Sequence, residues 1–301
     1  MTNVLYDEPG PRARRRALIG TIIASVILLG LVGVAVKRLA DRGQFDAELW
    51  APLINPSDDN FAAVWRLIGQ GLQATLTAAA LAIAFSLVIG TAVGTARMLL
   101  GRRARMPLVG LIELLRGLPV IVTIFYVYIL IRSLELDISF LPGVDGLWFL
   151  VIGLTLYNSV IIAEILRAGV AALPRGQAEA ALAIGMTPRQ AMTTVQLPQA
   201  FRTMLPAIIS QLIVVLKDTS LVTFIANYDE LLSQGESIQR NLGNPIQTFT
   251  VLAVLYIAIN YCLGRLAQYI ERRQARAGRA TPQPAETAGL APGAAPVGGG
   301  A

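Results

Sequence analysis

Long stretches without a single charge dictate what this chain can become. Ala17 to Val36 is uncharged and holds twelve Leu, Ile or Val residues, worth on the order of −5 kcal/mol of insertion free energy. About 20 apolar residues of helix cross a bilayer core, so this run spans. Further uncharged windows run from Leu67 to Ala96, Gly117 to Ile131, Leu147 to Ala163 and Ile246 to Gly264. A sixth, around Thr203 to Ile225, contains Lys217 and Asp218. The expected fold class is all-α integral membrane with six transmembrane helices. Arg12, Arg14, Arg15 and Arg16 before the first run resemble a signal-peptide n-region, but the apolar stretch is longer than a usual h-region. It reads as an uncleaved anchor over 17–36, after a basic N-terminus over 1–16.

Position decides what the net charge of +6 means. A basic soluble protein suggests nucleic acid, but here the charges fall between apolar runs, as in a polytopic membrane protein, and no nucleic-acid partner is expected. The N-terminus, the 97–116 loop, the 164–202 loop and the segment from Arg265 carry 4, 5, 4 and 5 Lys/Arg, against 1 and 2 for 132–146 and 217–245. The positive-inside rule then places both termini in the cytoplasm. Loop 37–60, with Lys37 to Arg66 around it, is assigned to the outside by parity. Phe61, Val64, Trp65 and Ile68 recur at i, i+3, i+4 and i+7, which fits either an amphipathic helix at the outer interface or an early start to the second span. From 271, and most clearly from Gly278, the chain turns polar and then Gly/Pro/Ala-rich, and a disordered cytoplasmic tail over 271–301 is expected.

The chain has no histidine and one cysteine, Cys262. Intrachain disulfides, histidine catalysis and zinc sites are thereby excluded, and no catalytic or metal-ligating residue is expected. The only lysines are Lys37 and Lys217, followed by Arg38 and Asp218 rather than Ser or Thr. A P-loop needs Gly-Lys and then a hydroxyl residue, so nucleotide hydrolysis does not belong to this polypeptide.

Glu164 to Arg202 is too long for a tight connector and too rich in helix formers for disorder. It predicts two short helices. Ala178 to Ile184 favours helix and stops at Gly185, suited to C′; Thr187 follows as N-cap, Pro188 as N1 and Gln190 as the N3 member of a capping box. Such a helix pair, linked to two spans, is suited to pass a push from a soluble partner into the bilayer. The plainer reading is a repacked loop.

Within it, Glu179-Ala180-Ala181, three residues, Gly185, nine residues, Val195, one residue and Leu197-Pro198 resembles the EAA signature of ABC-importer permease subunits, with Val195 where Ile is usual. Ile112 to Pro119 (IELLRGLP), Ala163 to Gly169 (AEILRAG) and Lys217 to Leu221 (KDTSL) look like the polar-amino-acid permeases of the histidine, glutamine and glutamate type. The start Val4 to Pro11 (VLYDEPGP) with the extra anchor looks like actinobacterial glutamate permeases. The resemblance implies a five-helix type I importer core over 61–270 with its coupling loop at 173–198. Implied partners are a second permease chain, either a copy or a relative, an ABC ATPase dimer that uses ATP and Mg, and an extracytoplasmic amino-acid-binding protein. No cofactor is implied on this chain. Glu179, Ala180, Ala181, Gly185, Arg189 and Pro198 are the expected ATPase-coupling residues.

Only fourteen uncharged residues separate Arg202 from Lys217, about 21 Å of helix against a core of roughly 30 Å. Lys217 and Asp218 point about 100° apart and do not pair on one face. They line a water-filled path for a zwitterion, with Gln211, Thr219 and Ser220 as hydrogen-bonding groups, or they sit at the outer headgroups as anchors. Asn158 and Ser159, inside the fourth span, face substrate or act as interhelical glue, and Glu164 lies near that span's inner end. Gly90 and Gly94 form a Gly-x-x-x-Gly pair suited to close helix packing. The expected function is the permease subunit of an ATP-driven amino-acid importer in the cytoplasmic membrane, with glutamate the favoured substrate. A stand-alone secondary carrier and a non-transporting membrane scaffold are the alternatives.

Overall fold

The computed structural model describes residues 10–225 and 228–279. The motif at 4–9 and residues 280–301 of the expected tail lie outside them. Every regular element among the described residues is helical. Helix α1 (Pro11–Asp41) is followed by a short α2 (Ala47–Ile54) and by α3 (Phe61–Leu99), 39 residues long. The expected external loop over 37–60 therefore contains helix, and Phe61 to Ile68 belongs to the second span rather than to a separate interfacial helix. Val64 and Ile68 are buried because they face Leu53 of α2 and Leu231, Ile238 and Leu252 further along the chain.

Five helices are long and apolar enough to cross a membrane, and a bent pair supplies a sixth crossing. That pair is α4 (Arg102–Gly117) and α5 (Val120–Ser133), which meet at 110°. Pro119 causes the break: Leu118 before it is held extended at φ −87°, ψ 143°, as the residue preceding a proline prefers. Helix α4 carries four arginines, three of them in its first turn. Helix α5 has 14 residues, so the pair makes a full crossing only with both helices taken together.

The bundle is organised around α6 (Asp145–Ala171), which buries sixteen of its residues against α3, α5 and α9. Along α3, Gly90 meets Ser159 and Ile162 of α6, Gly94 meets Ala163, and Arg97 meets Glu164. The order rises in both helices, so they run parallel. A Cβ on Gly90 would sit 2.7 Å from the Ser159 carbonyl oxygen, which is why this crossing needs glycine. The packing role read from the Gly90/Gly94 spacing is the one observed.

After α6 come α7 (Arg175–Ala183), one turn of α8 (Pro188–Gln190), a π-helical stretch Ala191–Gln196, α9 (Leu197–Asp218) and a 3₁₀ segment Thr219–Phe224. The second predicted short helix is thus continuous with the fifth span, with no link between them. Pro198 accounts for the π-helical register: it has no N–H to offer the carbonyl four residues back, and the chain passes the site in wider turns. Helices α10 (Leu231–Leu242) and α11 (Pro245–Arg279) complete the fold. The tail expected from 271 starts later, since α11 runs to Arg279 through the helix-favouring sequence Glu271-Arg272-Arg273-Gln274-Ala275.

Candidate functional site

Two regions carry the residues singled out from sequence, at different levels of the bundle. The first is the turn between α7 and α8. Gly185 adopts φ +87°, Met186 N–H donates to the Ala181 carbonyl at 3.1 Å and Gly185 N–H to that of Leu182 at 3.0 Å. This is a Schellman stop, and its left-handed residue favours glycine. Thr187 then caps α8: its hydroxyl accepts from Gln190 N–H at 3.3 Å, and Gln190 Oε1 accepts from Thr187 N–H at 2.9 Å. Gln199 of α9 donates to Gln177 Oε1 at 3.2 Å, tying α7 to the following helix.

The predicted coupling residues divide by exposure. Ala181 is buried where α7 packs on the π-helical stretch, so it sets helix spacing. Glu179, Ala180, Gly185, Arg189 and Pro198 are exposed. Between them stand Leu182, 47% exposed, and Ile184, 76% exposed. These two apolar side chains escaped the sequence reading, which took Ala178 to Ile184 only as helix-favouring. An uncovered apolar tip flanked by Glu179 and Arg189 has the composition of a protein contact.

The second region is a polar seam between α6 and α9. Gln211 Nε2 donates to Asn158 Oδ1 at 2.7 Å, and Asn158 Nδ2 donates to the Leu154 carbonyl at 2.8 Å. Asn158 is fully buried, and Ser159 donates to the Leu156 carbonyl. These groups are engaged with one another and with backbone, the interhelical arrangement of the two readings. Glu164 is clamped too: Arg97 Nη1 lies 2.5 Å from Oε2, and Arg167 donates from Nε and Nη2 to Oε1 at 2.9 and 2.5 Å. The carboxylate joins α3 to α6 two turns before α6 ends.

Lys217 and Asp218 differ from these. They close α9, flanked by Val215 and Val222, which pack on Ala78, Ala82, Leu150 and Leu154. Ala78 and Ala82 stand near the middle of the uncharged stretch of α3, so the charged pair adjoins the bundle core at that level. Lys217 is exposed, and Asp218 is half-buried, its Oδ2 without a hydrogen-bond partner among the described residues. Thr219 and Ser220 donate to the carbonyls of Leu216 and Lys217 at 2.7 and 2.8 Å, ending the α-helix in 3₁₀ turns. An ionisable side chain at this depth is costly unless water or a ligand reaches it.

One further acid was not anticipated. Glu230 is fully buried and caps α10, accepting from Leu232 N–H at 2.9 Å and Ser233 N–H at 2.8 Å; Thr223 Oγ1 and Tyr256 Oη also donate to it. Tyr228 donates to the Ala74 carbonyl, and Leu231 N–H to Thr75 Oγ1. The 3₁₀ segment, α10, α11 and α3 are thereby joined just beyond the charged pair. A Glu ahead of an amphipathic run is an N-cap signal, but its partners are distant in sequence.

Residues 86–276 match the family described as binding-protein-dependent transport system inner membrane component. The glutamate transport system permease protein GluD of Corynebacterium glutamicum is 39% identical over 245 residues, covering 80% of this chain and 85% of that protein. The glutamine transport system permease protein GlnP of Escherichia coli is 31% identical, covering 71% and 97%. Among solved structures, the crystal structure of an amino acid ABC transporter with histidines superposes with a TM-score of 0.63 at 28% identity, covering 71% of this chain and 96% of that one. With the EAA-type turn, the parallel α3–α6 core and these matches together, the chain belongs to the binding-protein-dependent transport system inner membrane components, the permease subunits of ABC importers.

Proposed function

We propose that this chain forms half of the translocation path of an ATP-driven importer for a polar amino acid, glutamate being the favoured substrate, and breaks no covalent bond itself. The observation that carries the coupling half is the exposed tip of Glu179, Leu182, Ile184 and Arg189 on a capped, Schellman-terminated turn. A separate ABC ATPase dimer, which binds ATP and Mg, grips that tip, and an extracytoplasmic binding protein delivers the substrate. Both termini face the cytoplasm, as the arginine-rich loops at the coupling end require.

Lys217 and Asp218 are the substrate-facing pair in this reading, the ammonium of Lys217 meeting a carboxylate and Asp218 Oδ2 the α-ammonium of a zwitterion. Thr219 and Ser220 hold the helix end that presents them, Asn158 and Gln211 fix α9 against α6, Ser159 bonds back to the Leu156 carbonyl within α6, and Glu164 locks α6 to α3. Glutamate is favoured by the GluD relative and by the start of the sequence. The test is uptake into proteoliposomes containing this permease, its partner permease, ATPase and binding protein. Labelled glutamate accumulates only with internal ATP; accumulation driven by an ion gradient without the ATPase overturns the proposal.

A further inference from the structure

At the coupling end, beside the Glu164 clamp, lies a cavity of about 820 Å³ between α3, α4, α6 and the π-helical stretch. Four arginines line it, Arg97, Arg102, Arg105 and Arg167, together with Met106 and Met192. Glu164 neutralises one charge from the side of α3 and α6. Among the described residues no ion pair involves Arg102 or Arg105, and both are exposed. A concave site with a surplus of about three positive charges and methionine in its lining is built for an anion that also carries hydrocarbon.

The setting of α4 selects the anion. The helix stands at 110° to α5 and packs on α3 and α6. Besides the residues that line the cavity, its surface carries Arg103 and Arg116 with exposed Leu111 and Leu114. That is the pattern of a helix resting in a headgroup layer with its apolar side against acyl chains. Basic pockets between transmembrane helices at this level suit phospholipid headgroups. We infer that the Arg97–Arg102–Arg105–Arg167 cavity binds one anionic phospholipid by its phosphodiester, Met106 and Met192 contacting the glycerol end of the chains. Met192 belongs to the π-helical stretch, so the lipid would touch the element that joins the coupling turn to the fifth span. The site does not depend on which solute is carried.

The test uses the full chain, delipidated in neutral detergent, with dioleoyl-phosphatidylglycerol or dioleoyl-phosphatidylcholine titrated in and bound lipid counted by native mass spectrometry. Phosphatidylglycerol is retained preferentially, R102Q/R105Q weakens that preference about thirty-fold, and R103Q, outside the cavity lining, changes it less than about threefold. Inorganic phosphate at matched ionic strength does not displace the lipid. Equal retention of both lipids, displacement by phosphate, an unaltered R102Q/R105Q or an equal loss in R103Q each overturns the inference. So does a double variant that keeps its lipid but no longer binds the ATPase, which would make the cavity a protein contact. Because the readout is lipid bound, failure here leaves the importer reading standing, and failure of uptake leaves this one standing.

Discussion

Gly185→Val perturbs the coupling turn in a way that isolates the backbone. Nothing lies within 4 Å of where its Cβ would be, so the added side chain meets no neighbour in this chain. The cost comes from φ +87°, a left-handed conformation that disfavours an L-residue by about 1–2 kcal/mol and a β-branched one by more. The two Schellman hydrogen bonds return about 0.5–1.5 kcal/mol each. Strain and hydrogen bonding are then of similar size, and the turn opens for an appreciable fraction of the time. Hydrogen exchange of a peptide spanning residues 180–190 reads that opening, with an increase of about ten- to thirtyfold for 1.4–2 kcal/mol. In the reconstituted transporter, uptake per ATP hydrolysed falls while membrane insertion is unchanged. Gly185→Asn, which tolerates the left-handed region, falls between wild type and Val in both assays. Unaltered exchange in Gly185→Val, or an Asn variant as damaged as the Val one, refutes the backbone argument; the second result would point to a side-chain clash with the partner instead.

Glu164→Gln leaves Arg97 and Arg167 facing each other and is expected to cost about 1–3 kcal/mol, reduced from a fully buried pair by partial exposure; a lower melting temperature in detergent checks it, with partial recovery when Arg97→Gln is added. Gly90→Val pushes a side chain into the Ser159 carbonyl and Ile162 and destabilises by about 1–3 kcal/mol or more, again read by thermal unfolding, whereas Gly110→Val, with open space around its Cβ, shows no steric penalty. A double-mutant cycle of Asn158→Leu and Gln211→Leu gives a coupling energy of about 0.6–1.7 kcal/mol with the substrate affinity for uptake preserved; a shift in KM without coupling would transfer these residues to the path. Asp218→Asn raises KM for uptake of an amino acid and leaves the melting temperature within a few degrees, and an unchanged KM removes Asp218 from the path.

Much of this architecture is legible in sequence because lipid imposes local rules. A run such as Ala17 to Val36 has one stable outcome in a bilayer, and Thr187, Pro188 and Gln190 specify a helix start within four residues. Gly185 signals a stop for the same reason. The readings that changed depend on distant partners or on small differences between helical registers. Phe61 to Ile68 has the same periodicity whether it lies at an interface or packs on Leu53 and Leu231, and only the contact decides. Asn158 is polar within a span in either role, and Gln211, fifty-three residues away, makes it an interhelical bond. Glu230 is one acid among several in a segment read as external, and its burial follows from Thr223 and Tyr256 converging on it.

The continuity of α8, the π-helical stretch and α9 changes how a push at the coupling turn reaches the bilayer. Two short helices on flexible links would dissipate it. Here thirty-one residues, 188–218, form one helical rod of about 45 Å, with Arg189 exposed near one end and Lys217 and Asp218 at the other. Helices α3 and α6 cannot follow easily, being held at glycine-limited distance and by the Glu164 clamp. The rod meets α6 through the Asn158–Gln211 side-chain bond, apolar contacts around Ile208 and Leu166, and the close approach of Gly169 to Ala200 and Met204; among the described residues no ion pair joins the two helices, so they shift past each other at lower cost than the clamp breaks. Its six π-helical residues, where Pro198 loosens the ladder, are the natural place for it to flex. In the proposed transport cycle, displacement of the turn would tilt α9 against the α3–α6 pair and carry its charged end with it, so that one movement at the α7–α8 turn would alter the environment of Lys217 and Asp218.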